Sequence, residues 1–375
     1  MAIRFFHTAD LHIGAELSYL SGKAEERRFE LLSAFKNIVD YCAENSVEIC
    51  LISGDLFDSN LAAKDAAPSV FEYIKSAPNV RFFYVAGNHD PLDATSPMNS
   101  KILPDNLYVF GTDYEAVTLE ALGVRIIGRS FAHSYMEPKE FNTVFSDDGL
   151  LNIMLLHADI TSDKNSPYNP IDRDFIENSG LNYLALGHIH KRTAPATLGK
   201  TTFAYPGSPE GHGFDEEGIR GGYLVTLNEK NADVSFVRIS KRAHRTIKID
   251  VSNATSSITA AEIIINNLKE NYGENFADNL YKIILTGYVL EGVTLKSAEI
   301  LSILRTSLYY VKLQNQSRKA FDLDTLKEEV SLKGIFVKKM LDKINQAGED
   351  KKELFKEALY IGLAAFDSEV AVNED

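Results

Sequence analysis

Five short clusters hold the residues whose types and spacing could do chemistry. They are Asp10-Leu11-His12, Gly54-Asp55, Gly87-Asn88-His89-Asp90, His157 and Gly187-His188-Ile189-His190. Carboxylate, amide oxygen and imidazole together suit manganese, iron or zinc. In a D-x-H or H-x-H triplet an extended backbone turns both side chains to the same side. Asp10 with His12, and His188 with His190, therefore read as two-pronged ligand pairs. A glycine before Asp55, Asn88 and His188 lets the backbone turn sharply and come close to a ligand. Two cations need one bridging ligand, and a carboxylate with two oxygens can bridge, so Asp55 is the candidate. Two ions about 3.5–4 Å apart would clamp a phosphate and activate water. His89 differs, because in an extended turn it points away from its neighbour Asn88. It could protonate a leaving oxygen or stabilise developing charge. Asp90 either orients His89 or shapes the turn.

Each cluster has a plainer reading taken alone. A D-x-H is commonly a strand-end pair, a G-N-H-D a turn, and a lone histidine after Leu155-Leu156 a hydrogen-bonded core residue. Five clusters in one order, each closing an apolar run, favour the metal reading.

The elements that must position these groups follow one rhythm. Apolar runs at Ile3–Thr8, Val47–Ser53 and Val80–Ala86 each end in one of the clusters. Helical periodicity follows at Ala24–Glu44, with Phe29, Leu32, Phe35, Val39 and Cys42 on one face, and at Ala67–Ser76. Alternating strand and helix implies an α/β layer with active groups at the carboxyl ends of the strands. From Leu107 onward the runs come with little helix between them: Leu107–Phe110, Val124–Gly128, Leu151–Leu156, Tyr183–Leu186, Thr201–Tyr205, Gly222–Thr226 and Val234–Ile239. These predict a second, mostly antiparallel sheet packed on the first, giving a four-layer α-β-β-α sandwich over residues 1–240. A basic linker, Arg238–Arg245, leads to a small α+β domain at 245–316. Its strands are expected at Thr246–Val251, Tyr281–Val289 and Leu308–Leu313, and its helices at Thr259–Asn271 and Leu295–Thr306. Thr259 and Glu262 fit a capping box. A helical segment at 322–368 follows, with apolar stripes in Gly334–Gln346 and Lys351–Phe366, and Ser368–Asp375 is expected to fray.

Composition sets bounds. The 375 residues are 45% apolar, which suits two or three domains with cores. No apolar stretch of about 18 or more residues suggests a membrane span. The N-terminus lacks the layout of a signal peptide. Cys42 and Cys50 read as small core residues rather than a disulfide, and together these features lead us to expect a cytoplasmic protein. The net charge of −14 argues against a nucleic-acid partner, since such proteins usually present basic surfaces. The objection softens because metal ligands consume some acidic residues and each divalent ion adds two positive charges.

The ordered set resembles the calcineurin-like metallophosphoesterases, whose pattern is D-x-H, G-D, G-N-H-[DE], H and G-H-x-H. The resemblance implies a dinuclear centre. Asp10, His12, Asp55 and His190 would hold one ion, and Asp55, Asn88, His157 and His188 the other. Manganese is the expected metal, with iron or zinc as alternatives, and His89 would be the catalytic histidine. Phe6-His7-Thr8-Ala9-Asp10-Leu11-His12-Ile13-Gly14, Ser53-Gly54-Asp55-Leu56-Phe57-Asp58 and Tyr205-Pro206-Gly207-Ser208-Pro209-Glu210 are similar to the SbcD-type DNA repair exonucleases. Within that group the chain looks most like the YhaO-type bacterial branch. The likeness covers Ile3–Ile239 well and the remainder only in layout. Some SbcD relatives carry a histidine where this chain has Asp58, which puts a DNA-positioning role there in doubt and leaves Asp58 a supporting residue behind the ligands. His7 reads as a core or supporting histidine, and His212 as a loop histidine rather than a substrate contact.

The resemblance implies metal-dependent cleavage of DNA phosphodiester bonds in DNA repair, by exonuclease action with endonuclease action as a further option. The alternative is a phosphodiesterase or phosphatase for small nucleotides or phosphoproteins, since the same centre serves all of these. The basic cluster Arg238–Arg245, with Lys191 and Arg192, could touch phosphate, although a charge run is usually a solvated face. The family further implies an SMC-like coiled-coil ATPase partner docking on the C-terminal helices, through a stripe such as Phe336, Met340 and Phe355, and a homodimer. There is no G-x-x-x-x-G-K-[ST] loop, so any ATP hydrolysis must come from another chain.

Overall fold

The computed structural model describes residues 2–100, 102–136, 148–163, 165–290 and 292–366. The chain divides into two compact units. The larger holds the chain up to Thr246, together with Asn275–Lys282 and Leu308–Val311; the smaller holds Ile247–Glu274, Ile283–Ser307 and the chain from Lys312 onward.

The strands of the larger unit are, in chain order, β1 (Ile3–Thr8), β2 (Ile49–Ser53), β3 (Arg81–Val85), β4 (Leu107–Val109), β5 (Glu115–Leu119) and β6 (Val124–Arg129). They continue as β7 (Leu151–His157), β8 (Tyr183–Gly187), β9 (Ala196–Leu198), β10 (Thr201–Ala204), β11 (Gly221–Leu227) and β12 (Ala232–Arg238). The helices are α1 (Ala24–Glu44), α2 (Asn60–Ser76) and α3 (Arg173–Asn178). Among the described residues the strands form two six-stranded sheets, β12-β11-β1-β2-β3-β4 and β5-β6-β7-β8-β10-β9.

Alternation along the strands explains the layering. In β1 and β2, Phe5, Ile49 and Leu51 face the second sheet, where they meet Ile153, Leu155, Tyr183 and Ala185. Their neighbours Phe6, Cys50 and Ile52 face outward and pack under Phe35, Ile38 and Val39 of α1 and Val70 and Ile74 of α2. In β7 and β8, Met154, Leu156, Leu184 and Leu186 face outward to Ile176 of α3. Strands buried on both faces must be apolar at nearly every position, as β2 and β7 are. The result is the expected α-β-β-α sandwich.

The structure corrects several expectations within it. The run at Leu107 belongs to the first sheet, where β4 lies parallel to β3. So do the two last runs: β11 pairs antiparallel with β1, and β12 with β11. The second sheet is parallel through β6, β7, β8 and β10, with antiparallel strands only at its edges. An apolar run records burial but not the partner strand, so sheet membership was open at these positions. In α1 the buried stripe is Leu31, Ala34, Phe35, Ile38, Val39 and Cys42, and Phe29 is 66% exposed. The turn that Phe29 was expected to cover instead buries Arg27 and Glu30, whose charges are paired. Helix α2 begins earlier than its apolar pattern, because Ser59 caps it by accepting from Ala62 N–H.

The smaller unit is built from β13 (His244–Asp250), α4 (Ser257–Tyr272), β14 (Leu280–Thr286), β15 (Tyr288–Val289), α5 (Ser297–Ser307), β16 (Tyr310–Asn315) and β17 (Arg318–Lys319), of which β13, β14 and β16 reach across the division. A three-stranded sheet runs in the order β13-β14-β16. The capping box of α4 is formed by Ser256 and Thr259 rather than Thr259 and Glu262, because the helix starts three residues sooner. Helices α6 (Leu323–Glu328), α7 (Leu332–Gln346) and α8 (Glu349–Phe366) close on Val337, Leu359 and Leu363. The expected fraying of Ser368–Asp375 lies outside the described residues.

Ile153 is fully buried between the sheets, so Ile153→Ala should cost about 2–5 kcal/mol in urea unfolding. Phe29→Ala should stay within about 0.5 kcal/mol. Comparable losses for both would show that the helix buries the face its sequence periodicity suggested.

Candidate metal centre

Five strands end at one place. Asp10 and His12 follow β1, Asp55 follows β2, and Asn88 and His89 follow β3; these strands are neighbours in the first sheet. His157 is the last residue of β7, and His188 and His190 follow β8, its neighbour in the second sheet. The carboxyl ends of both sheets thus deliver all the expected residues to one site.

The local backbone is not the extended one that the triplet spacing suggested. Asp10 (φ 54°), His12 (φ 46°), Asp55 (φ 49°) and His188 (φ 106°) all have positive φ. Such conformations cost a residue other than glycine about 1–3 kcal/mol and persist only where the surroundings enforce them. The chain turns tightly past each strand end, so the triplets present their side chains from turns. Backbone N–H groups hold the carboxylates in place: His188 N–H donates to Asp10 Oδ1 (2.9 Å), and His89 N–H to Asp55 Oδ1 (3.0 Å). Gly54 (φ 90°) is required twice over, since a Cβ there would lie 2.3 Å from His157 Nδ1. At Gly87 a Cβ would lie 2.1 Å from Asp55 Oδ1.

Among the described residues the donors converge in four overlapping groups, two of which, His12 with Asp55 and His89, and His190 with His212 and Glu216, flank the pair that shares Asp10. Asp10, His12 and His190 can offer one ligand atom each at mutual ligating distance, and so can Asp10, Asp55 and His157. Asp55 Oδ2 lies 3.6 Å from His12 Nε2 and 3.4 Å from His157 Nε2, between the two groups. His157 Nε2 is 3.0 Å from Asn88 Oδ1. The His188 ring sits 5.2 Å from that of His157, with the Tyr168 ring 4.6 Å from it.

Hydrogen bonds behind the rings show how each presents its nitrogen. His12 Nδ1–H donates to Asp58 Oδ1 (3.2 Å), His190 Nδ1–H to Glu216 Oε1 (2.5 Å) and His157 Nδ1–H to the Ser53 carbonyl (3.0 Å). With Nδ1–H engaged in this way, each ring presents Nε2 to the centre. The Nε2 atoms of His12 and His190 face one another at 3.1 Å, a spacing that needs a proton or a cation shared between them. Asp10 Oδ2 is buried and has no hydrogen-bond partner among the described residues. Converging imidazole nitrogens and an orphaned carboxylate oxygen are what a cation would satisfy, so the donor set fits divalent metal.

The electrostatics agree. Burial raises Asp10 above the usual carboxylate range, and His157 and His190 only partly offset it. Burial would raise Asp55 too, but His157 and His12 hold it well below that range. Burial disfavours charge on His157, yet Asp55 and then Asp10 outweigh it and bring His157 up to about 9. Burial, helped by His157, lowers His188 to about 4.

His89 is exposed; its Nδ1–H donates to the Asp58 carbonyl (3.1 Å), and its ring packs edge-on against His12 with centroids 4.6 Å apart. Asp90 is buried and accepts from Phe57 N–H (3.0 Å) and Gly87 N–H (2.8 Å), a turn-shaping arrangement, while the hydrogen bond on His89 Nδ1 goes to Asp58. His7 is a core residue, bonded to Tyr183 Oη (3.0 Å) and the Leu186 carbonyl (3.2 Å). His212 lies against the site, its Nε2 3.1 Å from the Leu11 carbonyl. Sequence reasoning missed Glu216 behind His190, since one carboxylate among 53 acidic residues carries no spacing signal. The basic linker is largely spent internally. Arg242 Nε donates to Glu30 (2.9 Å), its guanidinium lies 3.4 Å above the Tyr309 ring, and Lys241 Nζ is 2.9 Å from Glu30. Arg192 stacks over Phe236 at 3.8 Å.

Residues 3–192 match the family model described as calcineurin-like phosphoesterase, just over half of the 375 residues. The chain is 28% identical over 285 residues to "Uncharacterized metallophosphoesterase YhaO" of Bacillus subtilis, a match that covers 70% of this chain and 66% of that protein. It is 23% identical over 379 residues to "DNA double-strand break repair protein Mre11" of Saccharolobus solfataricus, covering 94% of this chain and 93% of that one. Among solved structures it is similar to a purple acid phosphatase from yellow lupin seeds, at 12% identity over 64% of this chain and 52% of that one, with a TM-score of 0.41.

A cation taken by His157 must displace the proton that Asp55 and Asp10 hold on it. Below pH 9, apparent Mn2+ affinity should therefore rise by about tenfold per pH unit. Calorimetric titrations between pH 6 and 8 would measure this. A flat profile would show that His157 is already neutral or is not a ligand.

Proposed function

The chain belongs to the calcineurin-like phosphoesterase family, and from that premise we propose that it hydrolyses phosphodiester bonds in DNA with a pair of divalent cations. Membership makes it a hydrolase of phosphoester bonds. The observation that carries the two-cation reading is the placement of Asp55 Oδ2 between His12 and His157. In this proposal Asp10, His12, Asp55 and His190 hold one cation, and Asp55, Asn88, His157 and His188 the other, with manganese the favoured metal. DNA as substrate is supported by the likeness to Mre11 over nearly the whole chain.

When bound, two such cations supply positive charge to the phosphoryl oxygens and acidify water. The chain's own residues do the rest. Carboxylates anchored by backbone N–H groups keep their oxygens directed at the centre. Asp58 and Glu216 keep the Nδ1 protons of His12 and His190 turned away from it. His89 is anchored through Nδ1 to the Asp58 carbonyl, so Nε2 is the nitrogen from which it would hand a proton to the departing sugar oxygen.

Acting on small nucleotides or phosphoproteins is the second reading. It is favoured by the net charge of −14 and by the pairing of Lys241 and Arg242 with Glu30. An SMC-like coiled-coil ATPase partner could hold DNA in place of a basic surface. Its docking face would not be the Phe336–Met340 stripe, since both side chains pack within the helical cluster. Ile335, Leu354 and Ile361 are exposed instead. Homodimerisation through the larger unit belongs to the same proposal.

Incubation with Mn2+, end-labelled linear duplex and single-stranded DNA, and bis-p-nitrophenyl phosphate tests the reading. Cleavage of DNA and ester, both lost in Asp55→Asn, is the expected result; turnover of the ester beside intact DNA would favour the second reading. His89→Ala should lower turnover by about 10²–10⁴-fold while the bound metal measured by elemental analysis is unchanged. Near-normal rates would remove His89 from the mechanism.

A further inference from the structure

Behind the centre lies a carboxylate that the proposed reaction does not use directly. Glu216 is buried, and its oxygens are fully engaged. Oε1 accepts from His190 Nδ1–H at 2.5 Å. Oε2 accepts from Ser208 Oγ–H (2.8 Å), His212 N–H (3.0 Å) and His212 Nδ1 (3.1 Å). Arg220 locks the same group from the other side. Its Nε donates to the Glu216 carbonyl (2.8 Å), and its Nη1 donates to the His190 carbonyl (2.6 Å) and Ser208 Oγ (2.8 Å). The ring and the backbone of His190 are therefore held through one buried cluster.

We infer that Glu216 is a positioning residue, which fixes the tautomer and direction of the His190 imidazole and ties His212 to the same carboxylate. This rests on the proposal that His190 holds one of two cations. A neutral imidazole has a single N–H. While Glu216 takes that proton at Nδ1, the Nε2 lone pair stays directed toward His12, 3.1 Å away. Without Glu216 the proton can move to Nε2, or the ring can rotate, and in either case the ligand is lost. A carboxylate behind a ligating histidine also raises its basicity, and removing such a partner typically costs about 10–100-fold in metal affinity.

The alternative is that Glu216 only stitches together the loop carrying Ser208 and His212. Equilibrium titration of the whole chain with Mn2+, read as free Mn2+ by EPR, separates the two. Wild type should bind two ions. Glu216→Ala should bind one with unchanged affinity and the other about 10–100-fold more weakly. Glu216→Gln keeps the volume and one acceptor oxygen, so it should fall between Glu216→Ala and wild type, and it carries the test if Glu216→Ala does not fold. Ser208→Ala removes one hydrogen bond to Glu216 Oε2 but leaves Oε1 on His190 Nδ1 and the Ser208 N–H on the His190 carbonyl (3.2 Å), so it should weaken that ion less than Glu216→Gln does. Two wild-type sites in both Glu216 variants would overturn the inference. So would equal weakening of both ions, or the same loss in Ser208→Ala. Failure of wild type to bind two ions would instead defeat the two-cation reading, and this inference with it.

Discussion

A buried carboxylate can stand between two imidazoles only where something holds all three, and at Asp55 that something is the register of two sheets. His12 comes from the first sheet and His157 from the second, and Asp55 Oδ2 lies within 3.6 Å of both. The apolar layer of Phe5, Ile49, Leu51, Ile153 and Leu155 sets the spacing of the sheets. Close-packed interiors transmit small displacements rather than absorbing them, so a shift in that layer would reach the centre. The sandwich is thus the scaffold that brings groups more than a hundred residues apart to ligating distance.

The arrangement is costly without a cation. Four residues at the site, Asp10, His12, Asp55 and His188, have positive φ, and Asp10 is buried with one oxygen unpartnered among the described residues. Two imidazole nitrogens face each other at 3.1 Å. Strain and unsatisfied polar groups of this kind are retained where function requires them. The surrounding carboxylates are spent on orientation: Asp58 on His12, Glu216 on His190 and Asp90 on the backbone near Asp55. Part of the chain's acidity is therefore turned inward.

Much of this was legible because the clusters are local. A glycine before a carboxylate and a strand-length apolar run ahead of it are visible within ten residues. Five such clusters in order pointed to one centre before any fold was known. What was not legible depends on distant pairing. The runs at Leu107, Gly222 and Val234 carry no mark of which sheet they join. Phe29 looked like a core position because periodicity cannot foresee that Arg27 and Glu30 will be buried with Glu210 and Arg242. The charge run of the basic linker carries no mark of its partners Glu26 and Glu30 on α1, which engage Lys241 and Arg242. Glu216 is marked only by three-dimensional proximity to His190.

Anomalous diffraction from crystals grown with Mn2+ would test the shared-carboxylate centre most directly. Two manganese peaks about 3.5–4 Å apart are expected, with Asp55 contacting both, His190 on one and His157 on the other. A single peak, or two that do not share Asp55, would contradict it.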